Sequence, residues 1–239
     1  CYSEGYDTFD SRRGVLGNLK FETAKSIIDY LVVLFQREAK SDAPKEPFAI
    51  SFYGGEPLVN FDVIRQIVEY AKCVEFRNRS LFFTMTTNAM LLSKHADFLS
   101  HHNFKMLISL DGNKEHDSYR KTPNGSPSFD IVMKNLMDVE SMFPKWFATF
   151  RYNAVFSNIS DVRNIVEWFK SQLNTTPNFS PVHTPTKDTK NGDRILSMLK
   201  TFEIPEDIAL EHGLITQNPL FNRILLFSTR LLNLSLIHI

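Results

Sequence analysis

The chain has 239 residues, 43% hydrophobic and 13% aromatic, with 27 basic and 27 acidic side chains. That is enough for one large α/β domain with a proper core, and a net charge near zero argues against nucleic acid or an anionic membrane as the main partner. No run of about 18 apolar residues could span a bilayer, no secretory signal pattern opens the chain, and two cysteines, Cys1 and Cys73, are too few for a disulfide framework, which fits a reducing, cytoplasmic compartment.

Cys1 to Asn18 reads as a loop. Phe21 to Lys40 carries apolar residues at Ala24, Ile27, Ile28, Leu31, Leu34 and Phe35, the spacing of an amphipathic helix. Ser41 to Pro44 ends it. Phe48 to Tyr53 is a short strand, and Phe61 to Phe76 a second helix with Val63, Ile64, Ile67, Val68 and Ala71 on its buried side. Leu81 to Thr86 is a strand, Ser93 the expected N-cap of a helix reaching His102, and Lys105 to Leu110 the next strand. After the polar segment Asn113 to Ser126 come a helix from Phe129 to Phe143 and a strand from Phe147 to Phe156. A helix from Asp161 to Leu173 and a strand from Asn178 to Val182 follow. Residues 200–239 look helical in places. The first residue is a cysteine inside a loop, and Leu231 to Ile239 is an apolar tail that resembles a translated adapter remnant, so both ends are expected to be cuts.

Strands alternating with helices imply a parallel sheet with right-handed crossovers. The chemistry-bearing residues cluster where strands end. The first strand stops at Gly54-Gly55-Glu56-Pro57, where glycine permits positive φ and a close ligand approach, and Pro57 pushes Glu56 toward an extended conformation. A carboxylate held beside backbone at a strand's C-terminal end suits an ammonium group; alternatively, Gly54-Gly55 is only a tight turn and Glu56 a solvated acid. Asn88 follows the second strand, and Ser109 and Asp111 the third. In a parallel barrel all of them share one C-terminal mouth, where such folds bind and react. A doubly wound open sheet would gather them at one edge as well. Cys73 is expected to be a small core residue, His116 and Asp117 a local hydrogen-bonded pair, and Asp111-Gly112 either a site or a turn with a capping acid. Adjacent His101 and His102 point to different sides of a helix and make a poor shared ligand.

Together these motifs resemble the radical S-adenosylmethionine (radical SAM) enzymes, in the subgroup of anaerobic sulfatase-maturing enzymes and ribosomal-peptide maturases. The resemblance runs from Cys1 to about Pro181. It rests on Phe52-Tyr53-Gly54-Gly55-Glu56-Pro57-Leu58, on Thr87-Asn88-Ala89 (alanine where the family usually has glycine), and on Ile108-Ser109-Leu110-Asp111-Gly112 followed by His116-Asp117 and Arg120, about one residue short of the family spacing.

The resemblance implies a partial (β/α)6 TIM-like barrel lacking its first strand, over residues 1–183, followed by a segment over 184–239 that starts a truncated C-terminal region. It implies a 4Fe–4S cluster with Cys1 as one ligand and the others upstream, so that this chain alone lacks activity. It implies S-adenosylmethionine, with Glu56 and the Gly54-Gly55 backbone meeting the ammonium, Ser109 and Arg120 the carboxylate, and Tyr53, Asn88 and Asn153 the ribose or adenine. One electron from the cluster would give a 5′-deoxyadenosyl radical that abstracts hydrogen from a peptide or protein side chain, for thioether or oxidation chemistry. An electron donor such as flavodoxin or ferredoxin is the implied partner. The subgroup usually carries a cysteine-rich SPASM-type domain, and no cysteine follows Pro181. A non-catalytic peptide-binding module on the same scaffold is the alternative. A phosphate-binding α/β enzyme is disfavoured, because the glycine turn is neither Gly-x-Gly-x-x-Gly nor a P-loop.

Overall fold

The computed structural model describes residues 18–37, 46–156, 161–181 and 236–238, and side chains in all of these but 181 and 236–238. The chain separates into two compact units, one of residues 1–108, 131–150 and 235–239, the other of residues 109–130 and 151–234.

The first unit opens with helix α1, Phe21–Arg37, then strand β1, Phe48–Tyr53. A single 3-10 turn, Pro57–Asn60, leads into α2, Phe61–Lys72. Strand β2, Leu81–Thr87, α3, Leu92–His101, and β3, Lys105–Ser109, repeat the strand–helix alternation. β1 and β2 pair in parallel with Phe48 opposite Leu81, and β2 and β3 with Thr84 opposite Lys105. Each parallel connection needs a crossover, which α2 and α3 supply.

Burial follows the period of two. Ile50, Phe52, Phe83, Met85, Met106 and Ile108 point to one face and are buried, together with Ile64, Ile67, Val68 and Ala71 of α2 and Leu92, Ala96 and Leu99 of α3. The other face carries Ser51, Thr84 and Thr86 in partly exposed positions, and Thr84 Oγ1 donates to Ser51 Oγ at 2.7 Å. Helix α4, Phe129–Met142, adds Leu136 and Val139 to the core.

The expected strand Phe147 to Phe156 begins later than its composition suggested. Pro144 starts a short helix α5, Pro144–Phe147, and Trp146 donates its Nε1–H to the carbonyl of Phe104 at 2.8 Å. Proline suits a first helical position, and the aromatic run is used as a buried plug rather than a strand. Strand β4 is therefore Arg151–Phe156.

The second unit holds residues 109–130, β4, helix α6, Asp161–Leu173, and strand β5, Asn178–Pro181. β4 and β5 are parallel, with Asn153 opposite Asn178. α6 buries Val162, Ile165, Val166 and Phe169, and Phe169 meets the Tyr152 ring at 5.4 Å.

A further strand β6, Leu236–His238, runs parallel to β1 with Phe52 opposite Ile237, inside the 200–239 stretch that reads as helical only in places. The remainder of the 184–239 segment, the Ser41 to Pro44 stop and the Cys1 loop lie outside the described residues.

Other local expectations shift as well. Ser93 lies inside α3 rather than at its N-cap, and its hydroxyl donates to Asn135 Oδ1 at 2.8 Å. Cys73 is an exposed C-cap of α2, because the helix stops at Lys72 and carries the thiol off the core face. Ile27 is exposed on α1, where Ala24 and Ile28 make the buried stripe. No helix among the described residues is long and apolar enough to cross a membrane.

Candidate functional site

In the first unit the candidate site is built on Glu56. Its backbone is extended, φ −146° and ψ 109°, as Pro57 demands of the residue before it. That places the carboxylate at the start of the 3-10 turn, where Oε1 accepts from the N–H of Leu58 at 3.1 Å. The same oxygen accepts from Thr87 Oγ1 at 2.7 Å, and Oε2 accepts from the N–H of Asn88 at 2.8 Å. Glu56 thus joins the C-terminal ends of β1 and β2. It is not a solvated acid: burial pushes its carboxyl up, opposed by the bonds from Asn88, Thr87 and Leu58. A carboxylate has about four lone-pair positions. Three are engaged, so Oε2 keeps one for a further donor.

The turn after β2 is held by its own side chains. Asn88 Oδ1 accepts from the N–H of Met90 at 2.9 Å, and Thr87 Oγ1 from the N–H of Ala89 at 3.0 Å. Ala89 sits at φ 59°, the left-handed region that favours glycine, which accounts for the glycine usual at this position of the motif. The buried amide of Asn135 on α4 donates to the carbonyls of Ala89 and Met90 at 2.9 and 2.8 Å. By contrast, Gly54 and Gly55 do not use positive φ; among the described residues the glycines that do are Gly112 and Gly125. Tyr53 is exposed at the end of β1. So the first unit brings Tyr53, Gly54, Gly55, Glu56 and Asn88 to one set of strand ends. Sequence reasoning missed Thr87 and Asn135 as parts of this arrangement, although Thr87 stood beside Asn88 and Asn135 interrupts an apolar helical stripe with Val132, Leu136 and Val139.

In the second unit the organising pair is Asp111 and Arg120. Arg120 Nε donates to Asp111 Oδ2 and Nη2 to Asp111 Oδ1, both at 2.7 Å, a bidentate fork. Asp111 Oδ1 also accepts from the N–H of Val155 on β4 at 2.7 Å. Asp111 is therefore an anchor, neither a turn residue nor a helix cap. Asp117 does not pair with His116 as expected. Its Oδ1 accepts from the N–H of Asp111 at 3.1 Å and lies 3.3 Å from Arg120 Nε, while its Oδ2 and His116 Nδ1 are buried without a hydrogen-bond partner. Burial pushes the Asp117 carboxyl up to about 7, against the bond from Asp111 and the charge of Arg120. Ser109 ends β3 half-buried, and Asn153 on β4 accepts from Ser180 Oγ at 3.2 Å. Arg151 is exposed.

For metal, the described residues contain no group of three His, Cys, Asp or Glu able to hold an ion. Cys1, the expected cluster ligand, lies outside the described residues, and His101 and His102 form no such group. The described residues therefore offer an open acceptor position on the Glu56 carboxylate and contain no iron–sulfur ligand set.

Residues 21–132 match a family described as a 4Fe-4S single cluster domain. The chain is 39% identical over 89 residues to a cysteine-type anaerobic sulfatase-maturating enzyme of Clostridium novyi, covering 36% of this chain and 24% of that one. It is 27% identical over 114 residues to the radical SAM cyclopropyl synthase TigE of Paramaledivibacter caminithermalis, covering 48% and 23%. The chain is thus similar in sequence to radical SAM enzymes. The solved structure of native anSMEcpe with bound AdoMet shares its fold at a TM-score of 0.61 and 22% identity, over 86% of this chain and 55% of that one. The same enzyme with bound AdoMet and Kp18Cys peptide matches at 0.60, over 78% and 51%. The chain thus spans about a quarter of the length of those curated relatives and about half of the solved chains.

Proposed function

We propose that this chain is the core of a radical SAM enzyme that abstracts hydrogen from a peptide or protein side chain to install a modification, by thioether or oxidation chemistry. The observation that carries the reading is the Glu56 carboxylate, fixed by three donors at the ends of β1 and β2 with one acceptor position remaining. Similarity to sulfatase maturases and to TigE, together with neighbours solved with AdoMet and peptide, supports the substrate class.

In this reading Glu56 accepts from the ammonium of S-adenosylmethionine, in a partly desolvated place where a charge-assisted bond is strong. The Gly54-Gly55 backbone, Tyr53 and Asn88 line the same strand ends; Ser109, Arg120 and Asn153 are further proposed cofactor contacts. When bound, the cofactor and a 4Fe–4S cluster supply hydrogen-atom abstraction, and the chain's part is to orient the cofactor and exclude water from it. Cys1 is the proposed cluster ligand in this sequence, and an electron donor of the flavodoxin or ferredoxin kind the proposed partner.

The test uses the protein as its gene encodes it, reconstituted anaerobically with iron and sulfide. Reductive cleavage of S-adenosylmethionine to 5′-deoxyadenosine is expected, and its loss in Glu56→Ala and in Cys1→Ala. A folded, reconstituted protein with neither cluster absorbance nor cleavage leaves the alternative, a non-catalytic peptide-binding module.

A further inference from the structure

We infer that Asp111 is a positioning residue that aims Arg120 at a ligand carboxylate, and that Asp117 couples this binding to the uptake of a proton. The inference rests on the reading of Arg120 as a cofactor contact and adds to it the two residues that set its geometry and charge.

Guanidinium has five N–H donors in a rigid planar fork. Arg120 spends Nε and one Nη2 N–H on Asp111, which leaves the Nη1 edge of a side chain still 25% exposed. Asp111 cannot follow a ligand, because it is held by the N–H of Val155 at 2.7 Å and its own N–H is held by Asp117 at 3.1 Å. The fork is thereby fixed in plane and direction before any ligand arrives, which lowers the ordering cost of binding.

The charge around this fork is unbalanced. One guanidinium faces two buried carboxylates, Asp111 and Asp117, and Asp117 Oδ2 has no hydrogen-bond partner. Those two, Asp111 from the strand-end loop and Arg120 from the same turn, are the charged groups acting on Asp117. β4 contributes the backbone N–H of Val155, and α6 brings the apolar Ile165 close to Gly112. With both aspartates ionised the cluster carries a net negative charge, and an incoming carboxylate would add another. With Asp117 protonated it is neutral, and the remaining edge of Arg120 receives the anion at less cost. Burial places this choice close to neutral pH.

The test measures binding of S-adenosylmethionine by equilibrium dialysis, from pH 6 to 8.5, to the unreduced protein as its gene encodes it. The ligand's own ammonium titrates in this range, so the readout is the difference between wild type and Asp117→Asn. Above pH 7 the wild-type Kd is expected to rise up to about tenfold per pH unit more steeply than that of Asp117→Asn. Asp111→Asn is expected to weaken binding more than tenfold at every pH, with partial rescue by Asp111→Glu. In the unsubstituted protein, the 13C resonance of the Asp117 carboxyl should titrate at a midpoint that rises on adding ligand. Parallel pH profiles, wild-type affinity in Asp111→Asn, or an unmoved Asp117 midpoint with ligand bound would overturn the inference while leaving the cofactor reading intact. Absence of binding by wild type at every pH would overturn both.

Discussion

Thr87 Oγ1 donates to Glu56 Oε1 at 2.7 Å, so the acid that ends β1 is fastened to the residue that ends β2. Two parallel strands are clamped at the end where such folds place their ligands. The acid is thus structural and available to a ligand at once, and its substitutions should separate the two roles.

Glu56→Ala leaves the Thr87 hydroxyl and the N–H groups of Leu58 and Asn88 without their acceptor. A loss of about 2–4 kcal/mol in urea unfolding is expected. Glu56→Gln keeps one oxygen acceptor but faces a donor with an amide, so it should cost about half as much. Both should abolish binding of S-adenosylmethionine if the remaining Oε2 position serves the ammonium.

Asp117 makes stability depend on pH in a defined direction. Its carboxyl holds its proton up to about 7 in the fold, against an ordinary value of 3.8. Between these values the folded state binds more protons than the unfolded one, so this contribution is fully present below about pH 4 and is lost as pH rises through 7. Asp117→Asn cannot ionise and should flatten that fall, by an amount on the order of a few kcal/mol. Unfolding free energies at pH 5, 6, 7 and 8 compare the two slopes.

Asn135 ties α4 to the turn after β2 through two carbonyls, and its Oδ1 receives the Ser93 hydroxyl. Asn135→Ala should cost about 2–3 kcal/mol. Asn135→Asp should cost more than alanine at neutral pH, because it sets a buried carboxylate against two carbonyl oxygens. Thermal unfolding at pH 7 ranks the two variants.

Gly112 has φ 119°, outside the range that L side chains adopt, and a Cβ there would stand 3.4 Å from His116 and Ile165. Gly112→Ala is expected to destabilise by about 1–3 kcal/mol. Because this residue starts the segment that brings Arg120 back to Asp111, the variant should also weaken S-adenosylmethionine binding. Urea unfolding and dialysis read the two effects separately.

Much of the fold was legible because it is local. The 3.6-residue stripe of α2, with Ile64, Ile67, Val68 and Ala71, and the positions of β1, β2, β3 and α6 follow from apolar spacing that each segment carries by itself. Where local composition misled, a neighbour had decided otherwise. Phe147 and Phe150 have strand character, yet Pro144 turns the chain into a helix there and the Phe104 carbonyl takes the Trp146 N–H. Cys73 has apolar neighbours in sequence, yet it follows the last turn of α2 and faces out.

Pleat, helical period and proline sterics act over a few residues, so the order of strands and helices, the extended Glu56 before Pro57, and the strand-end placement of Glu56, Asn88, Ser109 and Asp111 are written into short segments of the chain. Folding in three dimensions is what binds Glu56 to Thr87 and Asn88, commits Arg120 to Asp111, and buries Asp117 with an oxygen unpartnered. Those facts depend on strand register and chain reversal between residues 9 to 32 positions apart, and on how much water the packing leaves beside each charge. No single segment encodes that, since the energy of a buried charge is set by what surrounds it.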